Sequence, residues 1–261
     1  MISTKPTEET YTELQQAYDF YNARLFDGQL PACLITFQRE KATMGYFSSK
    51  RFVRLHDGHQ TDEIAINPAY FAVVPMIEVL QTLVHEMVHL WQQHFGTPSR
   101  ACYNNREWAD KMEHLGLMPS ETGQPGGKRT GQKMGDYAIA GGRFECATRG
   151  LLAGGFAISW LDRFPAQASV RPNFEAPISV AAGAAPVTGG EGGGTLALVA
   201  PNAYAAPAAI QSNLGLASRP NANRSNRHKY TCSGCFLALW GKPGIHVKCV
   251  DCDILLMEHA A

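Results

Sequence analysis

The chain has 261 residues, of which 45% are hydrophobic, and its 23 lysines and arginines balance its 23 aspartates and glutamates. This length suffices for one sizeable core or two modest ones, and the balanced charge excludes a wholly basic, histone-like nucleic-acid protein. No apolar run has membrane-spanning length, because the most apolar stretch, 195–210, is broken by Pro201, Asn202 and Pro207. The N-terminal sequence has no apolar segment behind a basic start, so we expect a cytoplasmic protein without a membrane partner.

Residues 1–164 have the composition of an ordinary globular domain, with aromatic, aliphatic and charged side chains in the usual proportions. The spacing of apolar residues and the positions of Gly and Pro predict, in chain order, a helix over 11–25, strands at 33–37, 43–47 and 63–67, and helices over 75–94 and 105–114. A helix, short strands and two further helices indicate an α+β fold rather than a doubly wound sheet.

Residues 165–227 are dominated by Ala, Gly, Pro, Ser and Asn and contain few large apolar side chains. Burial in such a segment cannot offset the conformational entropy that ordering it would cost. The composition therefore predicts a flexible linker, which separates the first domain from a short C-terminal module at 228–261.

The helix predicted over 75–94 contains the sequence His85-Glu86-Met87-Val88-His89. Residues i and i+4 lie on one helix face, so both imidazoles can reach a single Zn²⁺, while Glu86 projects beside the metal as a general base. The alternative is a pair of surface histidines on an amphipathic helix. The neighbouring residues are nearly all apolar, however, and polar groups buried among them need a shared partner, which favours a metal site.

The C-terminal module contains Cys232-x-x-Cys235 and Cys249-x-x-Cys252, with 13 residues between the two pairs. Each pair forms a knuckle that presents two thiolates, and two knuckles complete a closed, tetrahedral zinc site of the structural kind. A module this short cannot build an adequate apolar core, so the metal supplies its folding energy. A pair of redox dithiols without metal is the alternative, and the spacing disfavours it.

Further segments of the chain form one recognisable pattern: ARLFDGQLP, TLVHEMVHLWQQHFG, SRACYNNREWADKMEHLGLMPS and YTCSGC…WGKPG…KCVDC. These segments resemble the SprT-like (Spartan/SprT-type) zinc metalloprotease family, which includes proteases that digest proteins crosslinked to DNA and whose members end in a four-cysteine zinc ribbon. The segments GYF, DEIAINP and TGQKMGDYAIAGGRFE resemble a mobile-element branch of it. The resemblance spans 8–164 and 228–258, and it implies a minimal zincin-like fold. It also implies that His85 and His89 bind a catalytic zinc and that Glu86 activates a zinc-bound water.

One position departs from the family pattern. The family's third zinc ligand is a histidine at the start of the next helix, where this chain has Asn104. An amide oxygen is a weak zinc ligand, and Glu107, one turn further on, is an alternative because two histidines and a glutamate form a known catalytic set. The alternative is that Glu107 contacts the metal's ligands rather than the metal, or lies on the helix surface, so the third ligand stays open. His94 lies roughly 140° round the helix from His89 and is expected to be solvated.

The C-terminal module and the residues before it carry an excess of basic side chains. Between Gly192 and Val250 there is no acidic residue and there are six basic ones: Arg219, Arg224, Arg227, Lys229, Lys242 and Lys248. With the aromatic residues Tyr230, Phe236 and Trp240 nearby, this pattern suits phosphate contact and base stacking. The resemblance to the SprT-like family, more than this charge pattern, implies DNA as the partner and proteins bound to DNA as the substrates. A solvated linker end with ordinary core aromatics is the alternative.

Two functions compete at this point. The first is a zinc metalloendopeptidase of the HExxH type that acts on DNA-associated proteins and holds one catalytic and one structural zinc. Its strand at 63–67 could bind an extended substrate if that strand lies at a sheet edge. The second is a catalytically weakened scaffold, marked by Asn104, whose zinc ribbon binds DNA or a protein partner.

Overall fold

The computed structural model describes residues 5–39, 43–100, 103–166 and 227–259. The chain divides into two units, Met1–Ser218 and Arg219–Ala261. Nearly all of the linker predicted over 165–227 lies outside the described residues, so the linker and the domain limits beside it stay predictions. Within the described ranges, no helix is both long and apolar enough to span a membrane.

The N-terminal unit has the α+β fold that the sequence predicts. Its described elements, in chain order, are α1 (Pro6–Leu25), β1 (Leu34–Phe37), β2 (Gly45–Val53), β3 (Gln60–Ile66), α2 (Met76–Phe95), α3 (Arg106–Leu115), β4 (Leu117–Ser120), β5 (Gly135–Ala138) and α4 (Arg143–Ala153). A 3-10 helix, Pro68–Tyr70, joins β3 to α2. The first three strands and first three helices agree with the predicted elements, whereas β4, β5 and α4 are additional to them.

Three strands form the main sheet in the order β1-β3-β2. β1 runs parallel to β3 and β2 runs antiparallel to it, with Phe47 opposite Ile64. The strand predicted at 63–67 is therefore central, and the expectation that it could offer an edge to a peptide is wrong. The physical reason is visible in its sequence, because Ile64, Ala65 and Ile66 are buried on both faces of the sheet, as is typical of an inner strand.

α2 lies at the centre of the apolar core, with most of its surface buried. Helix α1 packs Leu14, Tyr18, Tyr21 and Leu25 into the same core, as their helical spacing predicts. Tyr11, at the start of that stripe, is instead 40% exposed. A helix hydrophobic on nearly all sides is held rigidly by its neighbours, so α2 is a firm support for the side chains it carries.

α4 and the segment that follows it contact α1. The hydroxyls of Tyr21 and Thr148 lie 2.8 Å apart in the buried interior between these two helices. Further on, Trp160 donates a hydrogen bond from Nε1 to the Glu9 carboxylate at 2.7 Å. These contacts join the last described part of the N-terminal unit to its first helix.

The C-terminal unit contains short strands only within its described residues: β6 (His228–Thr231), β7 (Ala238–Gly241), β8 (Lys248–Cys249), β9 (Ile254–Leu255) and β10 (Met257–His259). Three of them form an antiparallel sheet in the order β10-β6-β7, and β8 pairs with β9. Its buried cluster consists of Tyr230, Cys232, Cys249 and Leu256. A core of this size gives little stability by itself, which is consistent with a unit held together by a metal.

Candidate metal centres

The first candidate centre lies on one face of α2. His85, Glu86 and His89 bring one ligand atom each within 4.8 Å of one another. The two histidines are partly buried and Glu86 is buried. The i, i+4 spacing thus brings both imidazoles to one place, as the sequence predicts, beside a carboxylate removed from bulk water.

Aromatic rings from two other elements surround His89. The Trp108 ring of α3 lies 5.4 Å from the His89 ring at 19°, and the Phe47 ring of β2 lies 6.4 Å from it at 14°. Burial, aided by the neighbouring His85, lowers the pKa of His89 to about 3. His89 is therefore a neutral imidazole at physiological pH, and the neutral form is the one that binds metals.

The pKa of Glu86 is shifted in the opposite direction from that of His89. The pKa of Glu86 is raised to about 7, mainly by burial and to a smaller extent by the nearby Asp136, while His85 and the backbone N–H of Phe47 oppose this shift. The close approach of β2 to α2 depends on Gly45, since a Cβ there would lie 2.8 Å from Cγ2 of Thr82 and 3.5 Å from Cγ of Glu86. A carboxylate that titrates near neutral pH can both accept and return a proton.

The structure adds a residue that sequence reasoning missed. Asp136, on β5, places Oδ1 2.8 Å from Nδ1 of His85. Asp136 is 7% exposed, and its other carboxylate oxygen is buried without a hydrogen-bond partner among the described residues. The segment that contains it resembles the family, but no spacing rule connects two residues 51 positions apart in a chain.

The two residues considered for the third ligand position lie in hydrogen-bond networks of their own. Asn104 is buried and donates from Nδ2 to the carbonyl of Gly131 at 3.2 Å. The Glu107 carboxylate accepts from Nε2 of Gln92 and from the backbone N–H of Thr97, both at 2.7 Å. Among the described His, Cys, Asp and Glu residues, Glu107 is not part of the close group on α2.

His94 is exposed, as the sequence predicts, and it also contacts the sheet. It lies on α2 with Nε2 2.6 Å from a carboxylate oxygen of Asp62, which is buried on β3. The side chain of His94 is 39% exposed. His94 is therefore exposed to solvent as predicted, and its ring nitrogen also contacts a buried carboxylate from the sheet, which the sequence did not indicate.

The second candidate centre is formed by Cys232, Cys235, Cys249 and Cys252, whose sulfur atoms all lie within 4.8 Å of one another. The two knuckles have the same turn geometry. Phe236 donates its backbone N–H to the carbonyl of Cys232 at 3.0 Å, and Asp253 does the same to Cys249 at 2.9 Å; both residues have positive φ. The first knuckle also requires Gly234, because a Cβ there would lie 2.9 Å from the sulfur of Cys252.

The charges of the four thiols favour a cation at their centre. Backbone N–H groups of Cys235 and Gly234 lower the pKa of Cys232 to about 7. Hydrogen bonding to Cys235 and burial raise the pKa of Cys252 to about 12. Only part of the cluster is therefore ionised by itself near neutral pH, whereas a bound Zn²⁺ stabilises all four thiolates.

Comparison with known proteins gives three findings. A sequence model of the SprT-like family matches residues 14–125. An uncharacterized protein in the mucB 3' region of Salmonella typhimurium is 63% identical over 59 residues, which make up 23% of this chain and 80% of the relative. No solved structure matches significantly. The matched region contains α2 with both histidines and Glu86, and the chain belongs to the SprT-like family.

Proposed function

We propose that the protein is a zinc-dependent metalloprotease that cleaves proteins associated with or crosslinked to DNA. The observation that carries the proposal is the close group on α2, in which a buried glutamate lies between two histidines, one of them held neutral by burial. Membership of the SprT-like family supports a metalloprotease-like domain. This activity would place the protein in the cytoplasm, at the nucleoid if the host is bacterial.

The residues on α2 fit a zinc ion. His85 and His89 would hold it through their ring nitrogens, and the chain places a carboxylate behind His85, as is usual for histidines that bind metals. Zinc bound there supplies Lewis acidity, which polarises a peptide carbonyl and makes a nearby water more acidic. Glu86 would take the proton from the attacking water and deliver it to the leaving amine.

The outer strand β2 is the element that would bind the substrate. It is adjacent to α2 through Gly45, and Phe47 contacts both His89 and Glu86. Because β2 is one of the two outer strands of the sheet, an extended peptide could add to it by backbone hydrogen bonds. A peptide in that position would run past the two histidines.

The C-terminal unit would bind DNA through the open face of its three-stranded sheet. Lys229 on β6 stands opposite Trp240 on β7 and opposite His259 on β10, and directly opposed residues share one face. Trp240 is 61% exposed. The neighbouring residue Tyr230 points to the other face, where it is buried. Lys229 therefore lies between Trp240 and His259, and an exposed aromatic ring beside a lysine suits stacking on a base together with contact to phosphate.

The proposed DNA surface is a small patch, because acidic neighbours neutralise part of the positive charge of this unit. Lys248 forms an ion pair with Asp253, and His228 contacts Glu258 at 2.6 Å, so part of the basic charge is already compensated. We therefore expect stacking by Trp240 to contribute more than net charge. Trp240→Ala should weaken binding of a single-stranded oligonucleotide by roughly 1–3 kcal/mol. Phe236→Ala is the control, because Phe236 is 82% exposed but lies in a knuckle outside the sheet.

The test of the proposed activity is cleavage of a DNA-bound protein by the full chain, with and without DNA. Glu86→Gln should abolish cleavage while leaving zinc bound, because the amide keeps the shape of the side chain but cannot act as a base. The loss should be on the order of 10²-fold or more. Cleavage within a few-fold of wild type would exclude Glu86 as the base.

A second candidate is a scaffold without proteolytic activity. The observation that favours it is Asn104, whose amide is hydrogen-bonded to Gly131 at the position where the family has a third histidine. Zinc content separates the two functions. Two zinc ions per full chain support the protease, whereas a single zinc that is lost on replacing the four cysteines supports the scaffold.

A further inference from the structure

The buried carboxylate of Asp136 has no role in the proposed proton transfer, yet it contacts one of the two candidate zinc ligands. Its Oδ1 lies 2.8 Å from Nδ1 of His85, and only 7% of the residue is exposed. Carboxylate oxygens typically accept a hydrogen bond from the second ring nitrogen of a histidine that binds metal, so this contact favours the tautomer with its proton on Nδ1 of His85. The lone pair of the ring then lies on Nε2, the other nitrogen.

A second contact fixes Asp136 against the same helix. Gln81, one turn before His85 on α2, donates from Nε2 to the backbone carbonyl of Asp136 at 2.9 Å. Two residues of one α2 face therefore hold the backbone and the side chain of the same β5 residue. Such a pair of contacts leaves the carboxylate little freedom to move away from the imidazole.

The strand that carries Asp136 is part of a short hairpin that also reaches Asn104. β5 pairs with β4 so that Pro119 stands opposite Asp136. In the loop between these strands, Gly131 exchanges two backbone hydrogen bonds with Asn104, at 2.7 and 3.1 Å. The hairpin thus contacts both His85 and the residue at the third ligand position. It lies mostly beyond residue 125, where the match to the family ends.

We infer that Asp136 is a positioning residue of the α2 centre, which fixes His85 as the tautomer with its proton on Nδ1 and so presents Nε2 to zinc. This inference rests on the proposed function, because it assigns to the α2 centre a partner that orients one of its ligands. Outer partners of this kind typically change metal affinity by roughly 10- to 100-fold when they are replaced.

The chain provides a matched control. Asp62 is likewise a buried aspartate whose carboxylate contacts a histidine of α2, with 2.6 Å between its Oδ2 and Nε2 of His94. His94 is not part of the close group that could hold a metal. Asp62→Asn therefore repeats the chemistry of Asp136→Asn, a buried carboxylate exchanged for an amide beside an imidazole, at a place away from the centre.

The first measurement is the tautomer of His85 in the full chain, labelled with ¹⁵N in its histidines and treated with a chelator. We expect the proton on Nδ1 in the wild type and a different tautomer distribution in Asp136→Asn, because an amide can also donate to Nδ1. In Asp62→Asn, His85 should be unchanged. An unaltered His85 tautomer in Asp136→Asn would overturn the inference, even in a chain whose α2 centre never binds zinc.

The second measurement is zinc affinity at the α2 centre, obtained by competition with a chelator. The ribbon contribution is subtracted with the His85→Ala/His89→Ala variant of the full chain. Asp136→Asn should bind zinc roughly 10- to 100-fold more weakly, and Asp62→Asn should bind it as the wild type does. Equal affinity in Asp136→Asn and wild type would overturn the positioning role while leaving the proposed function intact. A wild type without zinc at this centre would instead contradict the proposed function.

Discussion

At the scale of single residues, one turn of α2 contains two groups that burial shifts in opposite directions. The pKa of His89 falls to about 3, and that of Glu86 rises to about 7. Burial disfavours the charged form of each group, so both are driven toward neutrality in the metal-free chain. A zinc ion would restore the charge of Glu86, because a nearby cation lowers the pKa of a carboxyl group.

The shifted pKa of Glu86 predicts a pH-dependent stability. A carboxyl whose pKa is higher folded than unfolded stabilises the fold at low pH, and this stabilisation is lost as the pH rises through the folded value of about 7. In the presence of a chelator, Glu86→Gln should therefore be more stable than wild type above neutral pH, by about 3 kcal/mol at most. The difference should shrink toward acidic pH.

Thermal unfolding between about pH 4.5 and about pH 8 measures this difference. Glu8→Gln is the control, because 62% of the Glu8 side chain is exposed and its exchange should leave the pH profile unchanged. Equal stabilities of Glu86→Gln and wild type at the alkaline end would show that Glu86 is hydrated rather than buried.

The third ligand position gives a second residue-scale prediction. Asn104→His should tighten zinc binding at the His85/His89 pair by at least roughly tenfold, since an imidazole exceeds an amide as a zinc ligand. Asn104→Ala serves as the reference, because both variants lose the hydrogen bond from the Asn104 side chain to the carbonyl of Gly131. Affinity that is identical in these two variants would mean that the side chain at position 104 does not face the metal.

At the scale of elements, the junction between α2 and α3 is a compact hydrogen-bond network. Glu107 accepts from Gln92 and from Thr97, and Asn105 caps α3 by accepting from the backbone N–H of Trp108 at 3.0 Å. Gly96 is required there because a Cβ at that position would lie 2.6 Å from Oε2 of Glu107. This network sets the position of α3, and with it Trp108, against α2.

We therefore expect Glu107→Ala to reduce stability without affecting zinc. Loss of the acceptor removes one hydrogen bond from Gln92, which still donates to Asn105, and one from the exposed Thr97, at a cost of about 1 kcal/mol. Zinc affinity at the α2 centre should stay within a few-fold of wild type. Loss of zinc together with normal stability would instead identify Glu107 as a ligand.

A double-mutant cycle sharpens this assignment. Gly96→Ala introduces a clash with the Glu107 carboxylate, and Glu107→Ala removes the atom that clashes. The destabilisation by Gly96→Ala, measured by denaturant unfolding, should be smaller in the Glu107→Ala background than in wild type. If the changes in the free energy of unfolding caused by the two substitutions are strictly additive, the two residues are not in contact.

The elements also show which features the sequence could predict. Helical spacing located α1, α2 and α3, and the HExxH pattern located the centre on α2, because these signals depend on residues a few positions apart. Asp136 and the order of the strands depend on contacts between distant segments, for which a single sequence has no periodic signal. The sequence of β3 nevertheless indicates its central position in the sheet, because the apolar run Ile64-Ala65-Ile66 is typical of a strand buried on both faces.

At the scale of the whole molecule, the two units differ in what stabilises them. The N-terminal unit has an extensive apolar core, whereas the buried cluster of the C-terminal unit consists of four residues, two of them cysteines. Removal of zinc should therefore unfold the C-terminal unit and leave the N-terminal unit folded. Fluorescence of Trp240 in a chain whose other tryptophans are replaced by Phe should change on chelation.

For the N-terminal unit, the corresponding measurement is its cooperative thermal unfolding. This transition should persist after a chelator has removed zinc from the chain. Replacing Cys232 and Cys235 by Ser is the control, because it should produce the same loss of structure without a chelator. If both units unfold together when zinc is removed, the candidate centre on α2 would bind a metal that contributes to the folding of the N-terminal unit.

The return of the chain to α1 has a consequence for how the protein is made. The hydroxyl pair Tyr21–Thr148 and the bond from Trp160 to Glu9 join residues 127 and 151 positions apart. During synthesis from the N-terminus, α2 and its histidines emerge well before the segment that completes the core around α1. Until residues near 160 have left the ribosome, the apolar surface of α1 stays partly uncovered, and long-range closure of this kind is slow. The nascent chain therefore passes through an interval in which α2 and its two histidines have been synthesised but the core around them is incomplete.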